Sequence, residues 1–148
     1  MTTAISPGGS LPLVEQAGYD DCGAACLATV TGEPLEAVKA AVDVPTPHAQ
    51  LEAYLEEHPI ANDLVTVRRT PTVADLAARS APFARSLPFD RRTLVLTVAS
   101  PAPGIDWHAV VYDRGRVLDP GGYFDRERLF SAPCIWASEV YPAYDEPR

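Results

Sequence analysis

One short segment, residues 16–28, constrains the fold of this chain more than any other. It reads Gln-Ala-Gly-Tyr-Asp-Asp-Cys-Gly-Ala-Ala-Cys-Leu-Ala, so a polar loop changes abruptly into a run of small and apolar residues. A run of that kind is typical of a buried helix that neighbouring elements approach closely. The pattern therefore predicts a helix that begins at or near Cys22, with Gln16 on the loop that leads into it.

A cysteine at the start of a helix differs chemically from a core cysteine. Aligned peptide dipoles and unpaired N–H groups at a helix N-terminus favour the thiolate over the thiol. The thiolate is the nucleophile, and the side-chain amide of Gln16 is placed to donate to an oxyanion that forms beside Cys22. A buried position is the ordinary alternative for any cysteine, and we expect it for Cys26, one helical turn further on.

A histidine and an aspartate lie at the two ends of a predicted β-hairpin. His108 begins an apolar, β-branched run, and Asp119 ends the shorter run that follows the turn at Asp113–Gly115. Antiparallel pairing across a short turn brings those two ends together. A neighbouring carboxylate holds an imidazole in one tautomer and supports its protonated form. With Cys22 and Gln16, these residues make a complete set of groups for thiol-based acyl transfer.

The same residues stand in a recognisable order. The elements are Gln16, Asp21-Cys22-Gly23, His108-Ala-Val-Val and Leu118-Asp119-Pro120. This pattern resembles the papain-like cysteine peptidases of the double-glycine leader family, best known as the peptidase domain of bacteriocin-exporting ABC transporters. Small stand-alone relatives of the pattern occur in bacteria and phages. The resemblance covers the two ends of the chain, about residues 14–42 and 105–122, and not its middle.

The resemblance implies a role for each of four residues. Cys22 would be the nucleophile, His108 the general base and acid, Asp119 its orienting carboxylate, and Gln16 the oxyanion donor. It also implies a narrow groove that selects small residues, above all paired glycines, before the cleaved bond. The transporter relatives continue into membrane helices, and we expect none in this chain.

The order of predicted elements indicates an α+β fold. Helices dominate the first part of the chain and strands the second, so a helical part that carries Cys22 is expected to pack on an antiparallel sheet that carries His108 and Asp119. This agrees with the papain-like arrangement that the resemblance implies. A length of 148 residues suits one domain. We predict a catalytic domain over residues 13–142, with flexible tails at 1–12 and 143–148.

Composition excludes several classes of partner. A net charge of −8 argues against nucleic acid and anionic membrane surfaces. No apolar run approaches the roughly 20 residues that span a bilayer, and no secretory signal pattern opens the chain. We expect a protein without membrane insertion that acts in the cytoplasm, or in the cytoplasm of a target cell if it is a delivered toxin. The cysteines and histidines lack metal-ligand spacing, so no metal or other cofactor is expected.

Predictions also follow for the other two histidines and for the tryptophan next to His108. His48 and His58 have no partner pattern like that of His108, and both are predicted to face solvent. Trp107 precedes the proposed base. It either covers the imidazole, lines a substrate groove or packs in the core.

The sequence therefore predicts a cysteine endopeptidase that cuts a peptide or protein substrate after small residues such as Gly-Gly. Three alternatives stay open. The same groups serve other acyl transfers, such as deamidation of glutamine side chains or transpeptidation. The domain is alternatively a delivered toxin or effector protease, for which a cognate inhibitor protein is expected. The third alternative is a leader-binding module without catalysis, which would not need all four residues.

Overall fold

Three helices precede the first strand in the computed structural model, which describes residues 11–58, 65–79, 82–83 and 85–141. The helices are α1 (Cys22–Thr31), α2 (Leu35–Ala41), α3 (His48–Glu57), α4 (Val73–Ala77) and α5 (Arg126–Ser131). The strands are β1 (Val65–Thr70), β2 (Thr93–Ala99), β3 (Trp107–Asp113), β4 (Arg116–Leu118) and β5 (Cys134–Val140). None of the helices in the described ranges has the length and apolar content that crossing a membrane requires.

The local sequence sets both ends of α1. All ten of its residues are buried, which accounts for its small and apolar side chains. The helix begins at Cys22, as predicted, and ends where Gly32 adopts a left-handed conformation with φ of 76°. Glycine enters that region without the steric cost that a side chain imposes. The Gly32 N–H then donates to the carbonyl of Ala28 and closes the last turn.

The strands of the described chain form one sheet in the order β1-β5-β2-β3-β4. Every neighbouring pair is antiparallel. The predicted hairpin joins β3 and β4, with Val111 opposite Leu118. An α+β fold with an antiparallel sheet is thereby confirmed.

The sheet separates two apolar clusters, because successive residues of a strand point to opposite faces. On one face, Val95 and Val111 pack with residues of α1, α2 and α3. On the other face, Leu94 and Val110 pack with residues of α4 and α5. The N-terminal helices therefore lie on the sheet, and α1 contacts β3, the strand that carries His108.

The folded part of the chain starts earlier than predicted. Leu11, assigned to a flexible tail, is only 1% exposed and belongs to the core on the α1 face. Its N–H donates to the Asp113 carboxylate at 3.3 Å, and its carbonyl accepts from Arg116 at 2.6 Å. The tail prediction is thus wrong for Leu11. The predicted tail residues 1–10 and 143–148 lie outside the described residues.

Candidate active site

Cys22 is the first residue of α1 and lies against an unpaired edge of β3. The backbone N–H of Ala109 donates to Cys22 Sγ at 3.4 Å. That N–H is available because β4 pairs with β3 only as far as Val111, opposite Leu118. The sulfur occupies the place at which a longer β4 would accept a ladder hydrogen bond. The sheet and the helix together fix its position.

His108 and Asp119 lie side by side, as the hairpin predicts. His108 is the second residue of β3, and Asp119 directly follows β4. His108 Nε2 lies 2.5 Å from Asp119 Oδ1. Because an ionised carboxylate only accepts hydrogen bonds, Nε2 carries a proton and donates it. The other ring nitrogen, Nδ1, is then the one left for the interaction with the Cys22 thiol.

Backbone donors hold the Asp119 carboxylate in place. Oδ1 accepts from Gly121 N at 2.9 Å, and Oδ2 accepts from Tyr123 N at 2.6 Å and Phe124 N at 2.8 Å. Burial acts to raise the pKa of Asp119, but the hydrogen bond from His108 and the backbone N–H groups lower it below its ordinary value. The carboxylate is therefore ionised at neutral pH and cannot rotate away from His108 without losing three further bonds.

The imidazole of His108 is held as a cation. Burial acts to lower the pKa of His108, but the bond to Asp119 and the interaction with the Cys22 thiol raise it to about 9. An imidazolium favours the thiolate form of a neighbouring cysteine. The ring of Tyr123 lies edge-on at 5.2 Å and that of Phe124 nearly parallel at 6.0 Å, and His108 is 2% exposed.

The other two cysteines are in environments that keep them protonated. Cys26 is fully buried, and burial raises the pKa of its thiol well above the ordinary value. Burial likewise raises the pKa of Cys134 to about 11. All three cysteines are free of disulfides. The predicted core position of Cys26 is confirmed, and neither Cys26 nor Cys134 has the surroundings of a nucleophile.

A cleft of about 700 Å³ opens beside Cys22. It lies between the start of α1, the segment before α3 and the loop before β3, and side chains of β2, β3 and β5 form part of its wall. Trp107 is 43% exposed and lines this cleft rather than packing in the core. His108 and Asp119 are not part of the lining. Cys22 is therefore the member of the three that faces the cleft.

The glycine after Cys22 lies in close packing. A Cβ at Gly23 would lie 3.1 Å from Thr46 Cβ and 3.5 Å from Leu51 Cδ2. The first of these distances is shorter than ordinary van der Waals contact. The absence of a side chain lets the segment before α3 approach the start of α1 and form that side of the cleft.

Gln16 lies beside the turn that follows Asp119, with its side chain folded along its own loop. Its backbone N–H donates to Pro120 O at 3.2 Å, and its amide Nε2 donates to Gly18 O at 2.6 Å. Within the described residues it makes no hydrogen bond to Cys22. The amide carries a second N–H in addition to the one that Gly18 accepts. The role of Gln16 as oxyanion donor remains a prediction.

The predictions for the two remaining histidines are wrong, since both rings are half-buried rather than solvent-facing. His48 stacks on Trp136 with ring centroids 5.5 Å apart, and it lines the cleft beside Cys22. Burial, followed by the charge of Arg68, lowers the pKa of His48. His58 stacks on Tyr54 at 3.9 Å.

Two carboxylates in the lining of the cleft were missed from the sequence. Asp20 and Asp106 both contribute to its wall. Each stands two residues before a proposed catalytic residue, Cys22 in one case and His108 in the other. That repeated spacing was the available signal. Among the residues that the structure describes, no lysine or arginine lines the cleft.

Comparisons of the chain with models of known families, with curated proteins and with solved structures found no match. Within the described ranges, no group of three or more His, Cys, Asp or Glu residues is arranged to hold a metal ion. The site is thus defined by its own geometry. It combines a sulfur at a helix N-terminus on the wall of a cleft with a protonated imidazole and a fixed carboxylate behind that wall, the groups that thiol-based acyl transfer uses.

Proposed function

We propose that this protein is a cysteine endopeptidase with Cys22, His108 and Asp119 as its catalytic residues. The observation that carries the proposal is the chain of contacts from Asp119 through His108 to a cysteine on the wall of a cleft. His108 and Asp119 are 86 and 97 positions from Cys22 along the chain. A core cysteine and a core histidine would not need a carboxylate held by three backbone N–H groups behind them.

In the first step, the Cys22 sulfur attacks the carbonyl carbon of the scissile peptide. The carbonyl oxygen becomes an oxyanion, for which the backbone N–H of Cys22 and the Gln16 amide are the proposed donors. His108 gives its proton to the leaving amine, and the C–N bond breaks. The products are a thioester on Cys22 and a free amine.

In the second step, His108 acts as a base. It takes a proton from water, and the resulting hydroxide attacks the thioester carbonyl. The C–S bond breaks, a carboxylic acid leaves, and the Cys22–His108 pair is restored. Asp119 accepts from Nε2–H of His108 throughout both steps, so Nδ1 is the nitrogen that gives and takes the proton.

The proposal also covers the type of fold and the preferred substrate. We assign a papain-like arrangement, because α1 presents its first residue to a histidine on an antiparallel strand. The resemblance to double-glycine leader peptidases supplies the preference for cleavage after paired glycines. The cleft of about 700 Å³ is large enough to hold several residues of an extended peptide.

Digestion of peptides and proteins that contain Gly-Gly, followed by mass spectrometry, tests the proposal. Cleavage by the wild type, its loss in Cys22→Ala and its retention in Cys26→Ala would support it. Substrates that change mass without a break in their chain would favour deamidation. Binding without any chemical change would favour a leader-binding module and overturn the proposal.

A further inference from the structure

Asp21, the residue before Cys22, is a buried carboxylate that the proposed mechanism does not use. It is 1% exposed and occupies the N-cap position of α1. An aspartate there normally accepts a hydrogen bond from the second or third N–H of its own helix. The Asp21 side chain makes no such bond. It points backwards, to the loop that precedes the helix.

Both oxygens of Asp21 hold that loop. Oδ2 accepts from Ala17 N and Oδ1 from Gly18 N, each at 2.9 Å. Lys39 of α2 lies 3.4 Å from Oδ2. Burial acts to raise the pKa of Asp21, but the N–H groups of Gly18 and Ala17 and the charge of Lys39 lower it. The carboxylate therefore stays ionised and keeps two consecutive N–H groups of the loop in place.

The loop that Asp21 holds is the one that positions Gln16. The carbonyl of Gly18, whose N–H is bound to Asp21, accepts the Gln16 amide at 2.6 Å. At its other end, the Gln16 N–H donates to Pro120, next to Asp119. Gln16 is thus fixed between Asp21 on one side and the turn after Asp119 on the other.

We propose that Asp21 is a positioning residue for the oxyanion hole. It holds the Ala17–Gly18 backbone, whose Gly18 carbonyl binds one N–H of the Gln16 amide, so that the second amide N–H is left for the oxyanion. The inference rests on the proposed function, since it concerns the same acyl transfer.

Two reactions of Cys22 separate positioning of the oxyanion hole from reactivity of the thiol. With para-nitrophenyl acetate, the sulfur bonds to the acyl carbon, the carbonyl oxygen carries the charge, and para-nitrophenolate then leaves. With iodoacetamide, the sulfur displaces iodide from a CH₂ group, and no oxyanion forms. Both reactions use the same Cys22–His108 pair. Only the first reaction needs the oxyanion hole.

The variant is Asp21→Asn in the full chain, and both rates are measured as single turnovers of Cys22. An asparagine has one acceptor oxygen where the carboxylate has two, so one of the two loop N–H groups loses its partner. We expect acylation to slow by roughly ten-fold to a hundred-fold. This decrease in rate is no larger than the decrease expected when an oxyanion-hole donor is removed outright. Alkylation by iodoacetamide should stay within about two-fold of the wild-type rate, since the environment of the thiol is retained.

Three further variants sharpen the test. Glu15→Gln removes one negative charge from an exposed position of the same loop and should change neither rate. Lys39→Met leaves both loop bonds to Asp21 in place and should slow acylation less than Asp21→Asn does. In a Gln16→Ala background, Asp21→Asn should add little, because its effect passes through Gln16.

The outcomes separate this inference from the proposed function. If wild-type Cys22 is acylated no faster than free cysteine, the proposed function fails. If the wild type is acylated rapidly and Asp21→Asn equally so, the inference about Asp21 alone is overturned. Equal slowing of acylation and alkylation would also overturn it, since that pattern indicates general damage to the structure around Cys22.

Discussion

Two buried ion pairs lie at opposite ends of the sheet, and they differ in whether their cation can give up its proton. Arg92 donates to both carboxylate oxygens of Glu139 at 2.8 and 3.0 Å, and each side chain is 1% exposed. The Arg92 guanidinium also donates to Arg85 O and Leu87 O, and Tyr141 donates to Glu139. All of these groups are satisfied within the protein, so this pair anchors a loop to the sheet.

In the pair of His108 and Asp119, the carboxylate is as fully hydrogen-bonded as the groups of the first pair, but the imidazole is not. Asp119 has three backbone donors, but the His108 ring has a second nitrogen that faces a thiol. Guanidinium keeps its charge at every accessible pH, whereas imidazole changes charge near neutrality. A fixed cation suits a structural anchor, and a cation that can give up its proton suits proton transfer. The difference between the two pairs is the main physical reason to assign chemistry to one of them.

The largest expected effect is that of Asp119→Asn on catalysis. The amide cannot accept hydrogen bonds from all of the present donors, and it no longer supports the imidazolium. Peptide cleavage should fall by about 10³- to 10⁴-fold, as expected when the tautomer of a catalytic histidine is lost. Single-turnover cleavage, together with a thermal melt that still shows a folded protein, checks this. Retention of a tenth or more of wild-type activity would contradict the assigned role.

Glu139→Gln tests the other pair and should act on stability instead. Removal of one partner leaves the Arg92 charge buried and unpaired, which costs about 3–5 kcal/mol of unfolding free energy. Urea unfolding measures the loss. The double variant Arg92→Met with Glu139→Leu removes both charges and should recover much of it. A single variant as stable as the wild type would mean that the pair does not anchor the loop.

The pH dependence of stability should also distinguish the pairs. The pKa of His108 is raised from an ordinary value of about 6.5 to about 9 in the folded protein. Its contribution to stability is therefore complete below about pH 6.5 and is lost as pH rises to about 9. Urea titrations across that range should show a decline that weakens in His108→Gln. The same decline in both proteins would exclude His108 as its source.

The smallest effect concerns the turn that holds Asp119. A Cβ at Gly121 would lie 2.6 Å from the Tyr123 ring and 3.0 Å from Gln16 Oε1. Gly121→Ala must therefore displace the ring that flanks His108, and overpacking of this kind costs about 1–3 kcal/mol. Activity should fall by roughly ten-fold, while Gly122→Ala is strained by its φ of 72° but touches neither side chain. Cleavage assays and melts of both variants compare the two changes.

The parts of the site that could be predicted from the sequence are those determined by residues close together along the chain. The start of α1 follows from its small residues, and the pairing of His108 with Asp119 follows from a short turn. The contact of Ala109 with Cys22 joins residues far apart in sequence, so no local pattern contains it. The hydrogen bonds around Cys22 and Gln16 depend on where β4 ends and how the loop folds back.

Long-range packing also explains the predictions that were wrong. His48 was expected to face solvent because nothing near it in sequence covers it. It stacks on Trp136, which lies on the last strand of the sheet. Leu11 was assigned to a tail, although Asp113 and Arg116 bind its backbone from the hairpin. In both cases the partner is more than 80 residues away along the chain.

The most direct test of the central claim is the alkylation of Cys22 by iodoacetamide at about pH 6, where an ordinary thiol is almost wholly protonated. Intact mass is followed over time for the wild type, His108→Ala and, as the control for labelling site, Cys22→Ala. We predict one rapid label on the wild type, its absence in Cys22→Ala and much slower labelling in His108→Ala. Slow labelling of the wild type, or equal rates with and without His108, would contradict the claim that these residues form an activated nucleophile.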